Sequence, residues 1–248
     1  MKILIDHGGY ELRNMGDLAM LQVAITRLRS LWPNASIKVF TTEPEKFLRC
    51  CPGTEPLSPS GREIWLWPLF HPMYKLLPHQ GARQQYANLE WKVKEHFPRA
   101  VSSFLRFKLK FKEGKQANLL DDFSEFIEIV QNSDLVVATG GGYITDVFES
   151  HACSVLETLS LATKLGKPTA MFGQGLGPAQ SPKLIAKAKK VLPSVNLISL
   201  RESRAGVPLL NSLGVHQNHF TTTGDDAIEL VYKNRSENLG NGIGVNLR

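Results

Sequence analysis

Leu135-Val136-Val137-Ala138-Thr139-Gly140-Gly141-Gly142 is an apolar run of strand character that stops on three consecutive glycines. The same grammar occurs three more times. Asp6-His7-Gly8-Gly9 follows Lys2-Ile3-Leu4-Ile5, and Gly173-Gln174-Gly175-Leu176-Gly177-Pro178 follows an apolar run over 168–172. Thr223-Gly224-Asp225-Asp226 follows a short run near 219–222. In a parallel sheet, turns at the carboxyl ends of strands gather along one edge, where the next helix begins. Backbone N–H groups there can hold an anion, and glycine lets a ligand approach the backbone. The four turns predict a site for a small anionic substrate at one rim of such a sheet.

Working outward, strand and helix patterns alternate. Residues 2–6 form a strand, and 17–31 has helical period with Leu18, Leu21, Ala24, Ile25 and Leu28 on one face and Asp17 as N-cap. A second strand spans 36–41, with a helix near 121–131 before the quoted run. A long helix is expected from about 145 to 165. Then come a strand at 168–172, a helix at 182–191, a strand at 197–200 and a helix at 203–213 that ends at Gly214. A last strand near 219–222 leads to a helical turn from Asp226. This alternation predicts an α/β domain: a doubly wound, mostly parallel, Rossmann-like sheet.

Two regions break the rhythm. Residues 44–116 are rich in Pro, Trp and basic residues, with Trp65-Leu66-Trp67-Pro68-Leu69-Phe70 and Phe104-Leu105-Arg106-Phe107-Lys108-Leu109-Lys110-Phe111-Lys112. As a strand the second run would be apolar on one face and cationic on the other. As a helix it would carry charge and rings on both sides and could lie on an anionic membrane surface. The favoured reading is an inserted subdomain whose aromatics form a small core of their own, with a peripheral membrane contact through 99–115 as the alternative. The second break is polar, glycine-bearing 234–241, followed by a strand-like opening over 242–248. The expected division is therefore an N-terminal Rossmann-like domain over 1–236, then a linker and the first strand of a truncated C-terminal domain over 237–248.

Net charge is +6, from 29 Lys and Arg against 23 Asp and Glu, which suits an anionic ligand. No nucleic-acid-binding motif is present, so a nucleic-acid partner is not expected. Cys50, Cys51 and Cys153 have neither disulfide-framework nor metal spacing, and no metal or cofactor is implied. The sequence opens on a strand with no signal-peptide pattern, and no apolar run is long enough to span a bilayer. The expectation is a cytoplasmic protein, including placement at the inner face of the membrane. Neither a dinucleotide G-x-G-x-x-G nor a G-x-x-x-x-G-K-[ST] phosphate loop occurs.

Five pieces in this order carry a resemblance: Asn14-Met15-Gly16-Asp17, Gly140-Gly141-Gly142-Tyr143-Ile144-Thr145-Asp146, Gly173 to Pro178, Ile198-Ser199-Leu200-Arg201-Glu202-Ser203, and Gly224-Asp225-Asp226-Ala227. The chain resembles the polysaccharide pyruvyl transferase family. That resemblance implies transfer of a pyruvyl group from phosphoenolpyruvate to a sugar or glycan acceptor, including a lipid-linked one, with formation of a ketal. It also implies that the sheet is the N-terminal lobe of a GT-B-like two-lobed architecture, the second lobe lying beyond this chain. Two positions depart from the family pattern: Glu202 stands where Asp follows the Arg, and Asp226 where Pro is usual, which weakens both as specific ligands.

A site for phosphoenolpyruvate must neutralise a carboxylate and a phosphate. Arg201 can fork onto either in bidentate fashion, or form an ion pair with Glu202 or Asp225. Gly140, Gly141 and Gly142, with Gly175 and Gly177, would offer backbone N–H groups at helix starts. Asp17 is the candidate base for the acceptor hydroxyl, or a plain N-cap. Asn14, Gly16, Asp146, Gln174 and Asp225 complete the substrate-binding set, and His7 is a possible acid. Two rivals remain: a GT-B-like glycosyltransferase using a nucleotide sugar, and a non-catalytic sugar- or anion-binding module.

Overall fold

The computed structural model describes residues 1–69, 76–110, 117–238, 240 and 242. Its sheet contains β1 (Lys2–Asp6), β2 (Ser36–Phe40), β3 (Glu55–Leu57), β4 (Leu135–Ala138), β5 (Gly141–Ile144), β6 (Thr169–Leu176), β7 (Leu197–Leu200) and β8 (Phe220–Thr222). The order is β3-β2-β1-β4-β6-β7-β8, with β5 pairing β6, and every pairing is parallel. Among the described residues the strands number eight, in one doubly wound α/β sheet. From β1 the chain winds outward through β2 and β3, then returns to β4 on the other side of β1. That reversal makes the carboxyl ends of β1 and β4 the switch point, where loops diverge and leave a crevice.

The winding follows from which side chains each strand buries. Ile3 and Ile5 of β1, Ile37 and Val39 of β2 and Val137 of β4 pack with Leu21, Ile25 and Leu28 of α1 (Met15–Leu31) and Phe47 of α2 (Pro44–Cys50). The alternate residues Leu4, Phe40, Val136 and Ala138 enter the opposite layer. There they meet Ile64 and Trp65 of α3 (Ser60–Leu66), Phe123 and Phe126 of α6 (Ala117–Asn132), and Leu156 and Leu159 of α7 (Glu149–Lys164). Both faces of the central strands are covered, so they read as unbroken apolar runs. Burying each of these side chains contributes ~1.5–3 kcal/mol.

The 44–116 region departs from expectation. It does not interrupt the sheet at 44: α2 is an ordinary crossover, and β3 extends the sheet beyond β2 as its edge. Three residues including Pro56 are too short for a strand signal, and proline is tolerated at an edge because no donor is needed there. Beyond it, α3, α4 (Gln80–His96) and α5 (Pro98–Lys110) are helical. Among the described residues there is no separate aromatic core. Trp65, Val101, Leu105 and Leu109 join the main core, while Phe104 and Phe107 stay exposed. The 104–110 part of the aromatic–basic run is thus helix rather than strand.

The glycine runs also differ from expectation. Gly141 and Gly142 lie within β5, and Gly173 to Leu176 within β6, so these are extended strands rather than turns into helices. The helices start later, α7 at Glu149 and α8 (Pro182–Val191) at Pro182. The strand-like reading of 242–248 lies, apart from Gly242, outside the described residues. The chain's last described helix, α10 (Ala227–Lys233), follows the short α9 (Gly206–Ser212) and β8 and returns to α1. Arg27 of α1 ties it down, bonding Asp226 at 2.5 Å and Glu229 at 2.6 Å.

Candidate active site

At the carboxyl ends of β1, β5, β7 and β8 the loops enclose a cleft of about 690 Å³. Six of the expected site residues line it: Asn14, Gly16, Asp17, Gly142, Arg201 and Asp225. They come from four segments spread over more than two hundred positions, and the parallel topology alone brings them to one rim.

Asn14 caps α1, its Oδ1 accepting the Gly16 N–H at 2.9 Å, so Asp17 is not the N-cap that the helical period suggested. Asp17 sits one residue further into the first turn, where the helix dipole favours a carboxylate. Its carboxyl lies against the backbone of Gly8, Gly9 and Gly141: a Cβ at any of the three would come within 3.4–3.6 Å of it. Arg201 follows β7, with its main-chain N–H held by the Gln174 carbonyl at 3.0 Å. Its guanidinium lies over two strands at once. A Cβ at Gly175 would stand 2.5 Å from Nε, and one at Gly142 would stand 3.3 Å from Nη2. A side chain at Gly175 would displace the guanidinium, and one at Gly142 would crowd it.

Asp225 approaches Arg201 at 3.9 Å (Nη1 to Oδ2), a loose contact in which both groups are over a third exposed. Its other oxygen accepts the Ala227 N–H at the start of α10. Glu202 does not pair with Arg201; it accepts N–H groups of Ala205 and Gly206, which hold its pKa below the usual carboxylate range. Among the described residues the guanidinium thus has one loose ion pair, and Arg201 lines the cleft.

The remaining expected residues are placed elsewhere. Gly140 is buried, with its Cβ position 2.9 Å from both the Gly173 carbonyl and Met20 Sδ. Gln174 is fully buried and donates to the Ala138, Thr139 and Phe172 carbonyls across the β4–β6 junction. The Gly177 N–H is taken by Ile144. Asp146 accepts the Gln180 and Ser181 N–H groups and anchors the loop before α8. These four lie outside the cleft lining and hold its walls. Because Gly141, Gly142 and Gly175 sit in strands, no helix dipole stands behind their amides, contrary to the sequence expectation.

Beneath the cleft lies a polar cluster that sequence reasoning missed. Asp6 is buried and ion-paired with the equally buried Arg62 at 3.0 Å. Asp6 also accepts the Tyr10 hydroxyl at 2.6 Å, Thr158 at 3.2 Å and the His7 N–H at 3.0 Å. Burial, with the Asp6 carboxylate beside it, pushes Tyr10 well above its usual range. His7 is no acid. Gly9 N–H donates to its Nδ1, so Nε2 carries the proton and donates to Phe40 at 2.8 Å; burial lowers its pKa to about 4. His151, lowered in the same direction by burial, donates to the His7 carbonyl. Arg62 gave no signal because it lies 56 residues from Asp6 in a region without motif. Arg13 and Tyr10, also on the cleft wall, sit in the β1–α1 loop beside Asn14, where adjacency alone could have flagged them.

Among the described residues no group of three His, Cys, Asp or Glu side chains is arranged to hold a metal ion. No curated protein sequence matches the chain. A family model described as polysaccharide pyruvyl transferase matches residues 14–244, from the Asn14 cap to beyond α10. Asn14, Gly16, Asp17, Gly142, Arg201 and Asp225 of the cleft lie within that span, and the chain belongs to the polysaccharide pyruvyl transferase family.

Proposed function

We propose that the cleft binds phosphoenolpyruvate and transfers its pyruvyl group to a sugar of a polysaccharide or glycan precursor, leaving a pyruvate ketal and free phosphate. The observation that carries this is the Arg201 guanidinium laid over Gly142 and Gly175 in a cleft that the Asp17 carboxylate also lines. A planar fork suits a carboxylate or a phosphate, and both are present on this donor.

The chemistry adds one sugar hydroxyl oxygen to C2 of the donor while a proton goes to the methylene carbon. A second hydroxyl then takes the place of phosphate at the same carbon. Positive charge develops at C2 in each step, and a base must accept each hydroxyl proton. We assign that role to Asp17: the residue lines the cleft, and the side-chain cap of α1 comes from Asn14. Asn14 and Arg13 stand beside it where the acceptor would enter. Asp225 limits the swing of Arg201 without neutralising it at 3.9 Å.

The test is phosphate release when the protein is incubated with phosphoenolpyruvate and candidate glycans, with the product checked for added pyruvate by mass. Release of nucleoside diphosphate from a nucleotide sugar, with phosphoenolpyruvate inert, replaces this reading with a glycosyltransferase. Binding of phosphoenolpyruvate without turnover under any acceptor leaves a binding module.

A further inference from the structure

The net charge of this protein is concentrated in one place. Residues 80–116 hold nine Lys and Arg against three Glu, a local excess of six that equals the net charge of the whole chain. The described part of that stretch is the hairpin of α4 and α5, which meet at Phe97-Pro98 and pack on each other. Its acids are already paired among the described residues: Glu90 with Lys94 at 2.9 Å, Glu95 with Lys164 at 2.7 Å. Lys92, Arg99 and Lys110 are exposed.

The same hairpin shows apolar side chains to water. On α5, Val101, Leu105 and Leu109 form the buried stripe, at spacings of four, and enter the core. Phe104 and Phe107 lie off that stripe and are exposed, Phe107 at 61%. On α4, Leu89, Val93 and Phe97 recur at spacings of four on a face that is likewise exposed, Leu89 at 61% and Phe97 at 62%. Five large exposed apolar residues on one hairpin that also exposes Lys92, Arg99 and Lys110 are more than the scattered exposed apolar residues a soluble surface carries.

We propose that the outer face of this hairpin is a docking surface for an anionic lipid bilayer. Rings and aliphatic chains would enter the boundary between headgroups and acyl chains, while Lys92, Arg99 and Lys110 meet lipid phosphates. A soluble polyanion is the weaker fit, because Leu89 and Val93 offer it nothing. No described helix is long and apolar enough to cross a membrane, so the contact is with the surface. The inference does not depend on the identity of the donor in the cleft.

The experiment is co-sedimentation of the full chain with phosphatidylcholine vesicles, with and without about a third phosphatidylglycerol, at physiological and high salt. The expected result is pelleting with the anionic vesicles alone, released by high salt. Phe97→Ser with Phe107→Ser should weaken that partition about tenfold or more. Arg99→Ala with Lys110→Ala should weaken it about fivefold for each cation removed. All four side chains are exposed, so both variants should melt at the wild-type temperature, and either alone tests the face if the other misfolds. The proposal is overturned by absence of pelleting, by pelleting unchanged in both variants, or by heparin binding in place of vesicle binding.

Discussion

The guanidinium of Arg201 occupies the volume that any side chain at Gly175 would need, since a Cβ there would lie 2.5 Å from Nε. Strand β6 therefore serves as a shelf for a cation delivered by β7. The shelf explains why glycine stands at a strand position where it would otherwise weaken the sheet.

Replacing Gly175 by alanine should displace Arg201 and leave the fold intact, because what must move is the far end of a flexible side chain. Phosphoenolpyruvate affinity measured by calorimetry should fall about tenfold, ~1.4 kcal/mol. Gly142→Ala, with 3.3 Å to Nη2, should do less, and Arg201→Ala should remove detectable binding. Unchanged affinity in Arg201→Ala takes that residue out of the donor site.

Asp17→Asn should lower kcat roughly 10²- to 10⁴-fold, the range of a lost general base, with donor affinity within a few-fold of wild type. Loss of the carboxylate from the first turn of α1 should cost about 0.3–1 kcal/mol of stability. A kcat that survives the substitution assigns the base elsewhere.

Arg62→Ala leaves Asp6 charged and without its partner beneath the cleft, and should cost about 3–5 kcal/mol in denaturant unfolding. Pairing it with Asp6→Asn should restore part of that loss, since the uncompensated charge is gone. If the double variant is no better than the single one, the lost contacts of Arg62 with Tyr10 and Phe40 are the larger effect.

Acid should destabilise the protein through His7. Its folded pKa is about 4, below the 6.5 of an unfolded chain, so the unfolded state binds more protons between those values. Stability from this group is complete above about pH 6.5 and declines as pH falls toward 4, by ~3 kcal/mol in all. His151 is shifted the same way and adds to the slope. Denaturant midpoints across this window should flatten in His7→Gln; an unaltered slope assigns the acid sensitivity to other groups.

Apart from β5, the strands outside the 44–116 region could be located from the chain: Ile3-Leu4-Ile5 and Val136-Val137-Ala138 are buried on both faces and show as unbroken apolar runs. The edge strand β3 could not, being three residues long with a proline. Glycine was the misleading signal. Turns are its commonest use, yet Gly141, Gly142 and Gly175 sit in strands and owe their identity to what presses against them. That cause is visible only once Arg201, Asp17 and Tyr143 have positions.

Residue type and order alone determined a parallel α/β sheet, a rim where Asn14, Asp17, Arg201 and Asp225 would gather, and a basic, aromatic stretch apart from it. These follow from local rules: periodicity, caps, and the direction in which parallel strands end. Only the tertiary structure decided that Asn14 rather than Asp17 caps α1, and that Gln174 and Asp146 brace the walls. Only it revealed that Asp6 and Arg62 form a charged pair under the floor. Each of these depends on contacts between residues far apart in the chain. Such contacts are settled by burial and by the matching of donors to acceptors in three dimensions, for which no local pattern exists.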